Sequence, residues 1–234
     1  MGAPKYNVAI ETSARQGSVT LARGDDLRGS AILPQPHRHS VELTTALAAL
    51  LAEHGAGPTD LAEVYVSIGP GSFTGLRIAV ATAKMLSQAL GVRIAAVPTL
   101  DVLAQNVPPN ADRHLAVCLN RKANSVYAGI YGVRDDQWTA SDEPSLMTMA
   151  ELLTVAPRPL MILGDPLPAL PDSVQHVTVL PADLATPRSE AVWKLGRRLA
   201  SHGQWTDALT LTPLYARVPE AVTLWDKRHG APAR

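Results

Sequence analysis

The order of its strand-like and helix-like segments constrains the fold of this 234-residue chain more than any single motif does. Three segments near the start alternate apolar and polar residues, which indicates short strands; a helical pattern, a buried strand and a second helical pattern follow. In chain order these segments are residues 6–12, 18–22, 27–33, 40–54, 61–68 and 74–90, with Ser40 as the expected cap of the first helix. The first half of the chain therefore predicts the order βββαβα.

The second half repeats this opening after a proline-containing junction at residues 107–113. A strand at 93–97 and a helix at 100–105 lead into the junction. Beyond it, the predicted strands are 114–119, 125–133, 137–143 and 160–163, with a helix at 148–154 before the last of them. Thr186 is expected to cap a final helix that has Pro187 in its first position and ends at Gly203.

Two tandem βββαβα-like units make this an α/β chain whose layout resembles that of the actin-like ATPase superfamily (ASKHA, RNase H-like). We expect one unit at residues 1–106, a second at 107–212 and a tail at 213–234. The tail is apolar enough to pack back on the body through Tyr215, Val218, Val222 and Trp225. Because one fold supports many activities, this layout leaves the function open.

Composition favours a soluble intracellular protein with no strong affinity of its own for nucleic acid. Lysine plus arginine and aspartate plus glutamate number 21 each, so the chain has no net charge to attract a polyanion. Cys118 is the only cysteine, which excludes an internal disulfide. We see no signal peptide or apolar span and expect a cytoplasmic location without membrane contact.

Residues 67–77 read SIGPGSFTGLR, a glycine-rich turn ahead of a helix. The segment does not have the second glycine and the lysine of a P-loop, its glycines are one residue too far apart for a dinucleotide fingerprint, and Ser72 has no glycines at the flanking positions of a nucleophile elbow. The groups that could still make a weak anion contact at the helix start are Gly69, Gly71, Ser72, Thr74 and Gly75. A tight turn from strand to helix is the alternative.

The helix that follows is apolar around most of its circumference. Arg77 and Lys84 are its only charged residues between Thr74 and Leu90. Such a helix needs two packing partners, and its alanines allow close approach by another helix. The second partner is either another protein or a further layer of the same chain.

Other polar positions are weaker candidates for sites. His37 and His39 lie two residues apart, but we find no third ligand near them and expect no metal site. Glu11 ends the first strand, Gly164-Asp165 follows a later one, and residues 120–122 (Asn-Arg-Lys) form a turn that could contact anions.

The segment GPGSFTGLRI at residues 69–78 resembles the signature of the TsaB (YeaZ) family, the catalytically silent relatives of the TsaD (Gcp, M22 peptidase-like) proteins. The resemblance extends through VAIETSARQGSVTLA and VPTLDVLAQ in the first half. It is thinner in the second half, where CLNRKANSVYAGIY and PLYARVPEAVTLWDKR carry it.

The resemblance implies a non-catalytic subunit in the synthesis of N6-threonylcarbamoyladenosine (t6A) at tRNA position 37. It implies a heterodimer with TsaD, which would hold the ATP and metal, together with the ATPase TsaE, and contact with tRNA only through the complex. The implied partner-binding residues lie on the two helices of the first unit and are Leu43, Leu47, Leu76, Arg77, Val80, Ala83 and Lys84. No catalytic residue and no cofactor are implied for this chain alone.

Some residues depart from the family pattern and keep alternatives open. Glu11 stands where an aspartate is usual, and Asn120 and Ser125 stand where acidic residues are common. One alternative is an independent actin-like ATPase or M22-like metal-dependent hydrolase that uses Glu11, Ser72 and Thr74. Another is a homodimer through the same helices.

Overall fold

The computed structural model describes residues 5–33, 39–120, 125–164, 166–170 and 174–216, with only the backbone given for His39, Ser40 and Asn120. Of the predicted tail, the described part ends at Ala216, so Val218, Val222 and Trp225 lie outside the described residues. No helix among the described residues is long and apolar enough to cross a membrane.

The first sheet contains five strands, and both of its faces are covered by helices. Its strands are β1 (Tyr6–Glu11), β2 (Gly17–Arg23), β3 (Asp26–Leu33), β4 (Leu61–Gly69) and β5 (Arg93–Pro98), in the spatial order β3-β2-β1-β4-β5. The chain-order neighbours β1, β2 and β3 pair antiparallel, whereas β1, β4 and β5 pair parallel. The helices of the first half are α1 (His39–Glu53), α2 (Phe73–Leu90) and α3 (Thr99–Ala104).

The second sheet repeats this arrangement. Its strands are β6 (His114–Asn120), β7 (Ser125–Arg134), β8 (Gln137–Ala140), β9 (Ser145–Thr148), β10 (Leu160–Leu163) and β11 (Val177–Val179). The order β11-β10-β6-β7-β8 mirrors that of the first sheet, and β9 pairs with β7. The helices here are α4 (Met149–Val155) and α5 (Ser189–Ser201). The predicted recurrence of the βββα pattern is confirmed, with β9 added before α4, whereas the spatial order of the strands was not predicted.

The pleat of the first sheet separates two cores. Val8 and Ile10 of β1 pack under α1 and α2, whereas Ala9 points to the other face, where α5 lies. Gly196 of α5 lies directly against the ring of Tyr65 in β4. Helix α5, from the second half of the chain, therefore packs on the first sheet, and the predicted division at residue 106 remains a prediction.

Three local predictions need correction. Strands β9 and β11 were not predicted, because four and three residues are too few to establish an alternating pattern. Ser40 does not precede the first helix, since α1 already begins at His39. Thr186 does not cap α5, because that helix begins at Ser189, whose backbone N–H donates to the Ser18 hydroxyl of β2 at 2.9 Å.

Candidate functional site

The glycine-rich turn between β4 and α2 is packed against the end of β1. The Ser72 N–H donates to the Ser13 carbonyl at 2.6 Å, and the Thr12 hydroxyl donates to the Gly75 carbonyl at 2.7 Å. Both bonds join the first strand to the start of α2. The turn is therefore held by one main-chain bond and one side-chain bond to the two residues that follow β1.

Two glycines of the turn are required by this close approach. A Cβ atom on Gly71 would lie 2.3 Å from the Ser13 carbonyl oxygen, and one on Gly75 would lie 1.8 Å from that of Thr12. Position 69 requires glycine for a further reason, because its φ of +109° is one that other residues rarely adopt. These contacts support the tight-turn interpretation of the motif.

The start of α2 has part of its hydrogen-bonding capacity already in use. Ser72 is the N-cap and accepts from the Gly75 N–H at 3.3 Å, while its own N–H is bonded to Ser13. Thr74 is exposed. The weak anion contact at this loop is untested and stays a prediction.

Glu11 lies beneath the turn in a fully buried polar cluster. Its Oε1 accepts from the Ser13 N–H at 2.5 Å, and the nearby Ser67 and Thr99 hydroxyls bond each other at 2.8 Å. Burial raises the pKa of the Glu11 carboxyl, and hydrogen bonds from Ser13 and Ser67 oppose this only partly. Burial therefore disfavours the ionised carboxylate that a metal-phosphate site would use as a ligand.

A cleft of about 330 Å³ lies above this cluster, between the two sheets. Ser13, Ser72 and Thr99 line its side toward the first sheet, and Leu119 and Pro166 line the other. It lies where the carboxyl ends of β1, β4 and β6 meet, which is the usual ligand position in open α/β sheets.

The predicted partner-binding residues divide into two groups. Five of them are buried in the core under α1 and α2 or against the glycine turn: Leu43, Leu47, Leu76, Val80 and Ala83. Arg77 is exposed and Lys84 is half-buried. The prediction that the first five form surface contacts needs correction. Helices α1 and α2 use those side chains to pack on their own sheet.

The surface that α1 and α2 present away from the sheet, here called the outer face, is carried by other residues. Its members are exposed side chains that are mostly small or apolar: Val41, Thr45, Ala48, Ala52, Phe73, Arg77, Ala81 and Met85. Val41 and Met85 are 62% and 52% exposed. The sequence gives no clear signal that separates these positions from the buried ones, because both sets are mostly uncharged.

The N-terminal end of the outer face is supported by the end of the described chain. The ring of Tyr215 lies 5.1 Å from that of Phe73, and Arg77 stacks over Phe73 at 3.8 Å while its Nε donates to the Tyr215 hydroxyl at 3.3 Å. The Leu214 N–H donates to the Ile68 carbonyl at 2.7 Å. Within the described residues Tyr215 thus contacts α2, and the expected packing of the whole tail stays a prediction.

The remaining candidates give no assembled site among the described residues. His37, Arg121, Lys122 and Asp165 lie outside them, as do the side chains of His39 and Asn120. Gly164 allows close approach of a strand, since a Cβ there would lie 2.5 Å from the Cys118 carbonyl oxygen. The described residues contain no cluster of three or more histidine, cysteine, aspartate or glutamate side chains that could hold a metal.

This chain is similar in sequence to several known proteins. The family model described as TsaD, tRNA N6-adenosine threonylcarbamoyltransferase, matches residues 32–165, more than half of the chain. The Bacillus subtilis tRNA threonylcarbamoyladenosine biosynthesis protein TsaB is 29% identical over 226 residues, covering 93% of this chain and 96% of the relative. The chain belongs to the TsaB (YeaZ) branch of the TsaD family. A second TsaB, from Buchnera aphidicola, is 31% identical over 117 residues, which is 49% of this chain and 55% of that one.

Solved structures of YeaZ proteins show the same fold. YeaZ from Pseudomonas aeruginosa superposes with a TM-score of 0.72 at 21% identity over 90% of this chain and 99% of that one. A protein described as similar to peptidase YEAZ from P. aeruginosa gives a TM-score of 0.75 at 22% identity, covering 91% and 100%. The α/β, actin-like architecture predicted for this TsaB-family chain is confirmed.

Proposed function

We propose that this chain is a non-catalytic subunit in t6A formation at tRNA position 37 and that it binds and stabilises a TsaD-type transferase. The relatives in B. subtilis and Buchnera are named for tRNA threonylcarbamoyladenosine biosynthesis. A role in the same pathway fits a chain that belongs to their branch.

The observation that carries the proposal is the outer face. Two adjacent helices cover one face of the first sheet, and between Val41 and Met85 their outward side chains are mainly alanine, threonine and single large apolar groups. Small side chains let helices approach closely, and exposed apolar residues grouped together mark protein interfaces. A pair of helices from TsaD would complete a four-helix contact here.

The chemistry would then belong to the partners. ATP and metal are expected in TsaD, and TsaE joins the pair as an ATPase. The chain's own Glu11 is buried and its glycine turn is filled by Thr12 and Ser13, which suits a structural rather than a phosphate-binding role. tRNA is expected to meet this chain only within the complex.

Substitution of Ala81 by arginine tests the proposed interface without touching the core. Ala81 is exposed on the outer face, so the variant should fold like the wild type, while a charge without a partner in a tight helix contact should weaken binding by about 2 kcal/mol or more. Ala150→Arg, on an exposed position of α4, is the matched control. Sedimentation with and without TsaD measures both heterodimer and homodimer.

The expected result is that Ala81→Arg loses co-sedimentation with TsaD and Ala150→Arg keeps it. Wild-type binding by both variants would contradict the assignment of the outer face. Loss of a homodimer alone, with the TsaD complex intact, would instead assign this face to self-association.

A further inference from the structure

A depression of about 340 Å³ lies beside α5, on the opposite side of the first sheet from the outer face. Three parts of the chain form it: the solvent side of α5, the β2–β3 turn at Asp25 and the start of β8 at Gln137. Because β1 directs Ala9 toward α5 and its neighbours Val8 and Ile10 toward α1 and α2, a partner on the outer face leaves this depression open.

Positive charge is concentrated in the depression although the chain as a whole is neutral. Its lining includes Lys194, Arg197 and Arg198, and Asp25 is the only carboxylate among the described residues that line it. Arg197 forms an ion pair with Asp25, whereas Lys194 and Arg198 have no ion-pair partner among the described residues. The packing of α5 fixes this arrangement, because the helix buries Val192 and Leu195 and turns its cations outward.

Two polar groups at the same place are buried with neither a hydrogen-bond nor an ion-pair partner among the described residues. They are the indole Nε1 of Trp193, which is a donor, and the Oε1 of the Gln137 side chain. Both side chains are half-buried and line the depression. Buried polar atoms of this kind usually have a partner, so a ligand that supplies both an acceptor and a donor would suit them.

Acidic residues limit what can enter. Asp135 and Asp136 form the exposed turn of the β7–β8 hairpin immediately before Gln137, and Asp25 occupies the opposite rim. One phosphate of a backbone that passes over the depression, held beside Lys194 and Arg198, fits this pattern better than several phosphates inside it, because the acids would repel the others.

We propose that this depression binds a phosphate of an RNA backbone and so gives this chain a direct contact with tRNA in the complex. Lys194 and Arg198 pair with the phosphate oxygens, and the indole N–H of Trp193 donates to the same group. A ribose hydroxyl donates to the amide oxygen of Gln137. The inference rests on the proposed function, since the RNA is the tRNA that the complex modifies.

The first test measures tRNA binding to the complex of this chain with TsaD over a range of salt concentrations. Lys194→Gln with Arg198→Gln should weaken binding about tenfold or more and lower the salt slope by about 1, because both side chains pair with one phosphate. Lys5→Gln with Arg113→Gln removes the same charge, again from one exposed lysine and one half-buried arginine, and should change neither value. Equal affinities and slopes for the two double variants would overturn the proposal.

A second test needs no partner and separates this inference from the proposed function. The chain has four tryptophans, so its indole N–H signals can be followed by ¹⁵N NMR and that of Trp193 assigned with Trp193→Phe. Titration with a short single-stranded RNA at low salt should shift the Trp193 signal more than the others. No selective shift would overturn the phosphate site even if TsaD binds as proposed, and a selective shift would uphold the site even if TsaD does not bind.

Discussion

Single atoms decide the role of the glycine turn. At Gly75, the missing Cβ leaves room for the Thr12 carbonyl, which a methyl group would approach to 1.8 Å. Gly75→Ala must therefore push β1 and α2 apart, and we expect it to lower the free energy of unfolding by about 2 kcal/mol or more. Gly57→Ala is the control, because a Cβ there meets nothing within 4 Å and φ is −123°. Urea denaturation measures both, and equal stability of the two variants would contradict the packing role.

Glu11 provides a second prediction at the residue scale, concerning pH. Burial raises the pKa of its carboxyl in the folded state, so the folded chain binds a proton more tightly than the unfolded chain does. Stability from this group is fully present below about pH 4.3, the ordinary glutamate pKa, and decreases as pH rises toward the raised value. Glu11→Gln keeps an oxygen for the Ser13 N–H and should remove this decrease. Urea titrations of both proteins at pH 5 and pH 8 test it, and parallel pH dependence would contradict it.

At the scale of elements, α2 shows what sequence alone could predict. Its existence, its extent within one residue and its capping by glycine at position 91 follow from periodicity and turn residues. Which side faces the core could not be read, because Leu76 and Val80 on the inside and Ala81 and Met85 on the outside are all uncharged. The glycine spacing likewise predicted a tight turn, but its partner, the end of β1, lies about 60 residues away in sequence and was not predictable from local pattern.

The same contrast gives a prediction for α2. Val80→Arg, which would test an interface if Val80 were exposed, should instead unfold the chain or cost about 3 kcal/mol or more, because Val80 is 6% exposed and packs in the core. Ala81→Arg, one residue further, should melt within a few degrees of the wild type. Thermal unfolding followed by circular dichroism compares them, and similar melting temperatures for the two arginine variants would contradict the assigned orientation of the helix.

At the scale of the whole molecule, the recurrence of the βββα pattern was predicted, whereas the strand order that the two sheets share was not. The contacts between the two halves could not be predicted from the sequence. Asp101 of α3 accepts from the Tyr131 hydroxyl of β7 at 2.8 Å, and the buried Ser189 of α5 bonds the Thr20 hydroxyl of β2 at 2.7 Å. Such contacts join residues 30 and 169 positions apart, so only the folded chain brings them together. They place the cleft, the outer face and the α5 depression on different sides of one body.

The central claim is that this body supports a partner's chemistry and performs none itself. Mixing the chain with TsaD, TsaE, threonylcarbamoyl-AMP and tRNA, and then omitting the chain, measures t6A at position 37 directly. The account predicts that modification requires the chain, and that the chain alone turns over no ATP. Equal t6A formation without it, or ATP hydrolysis by the chain alone that Glu11→Ala abolishes, would contradict the account.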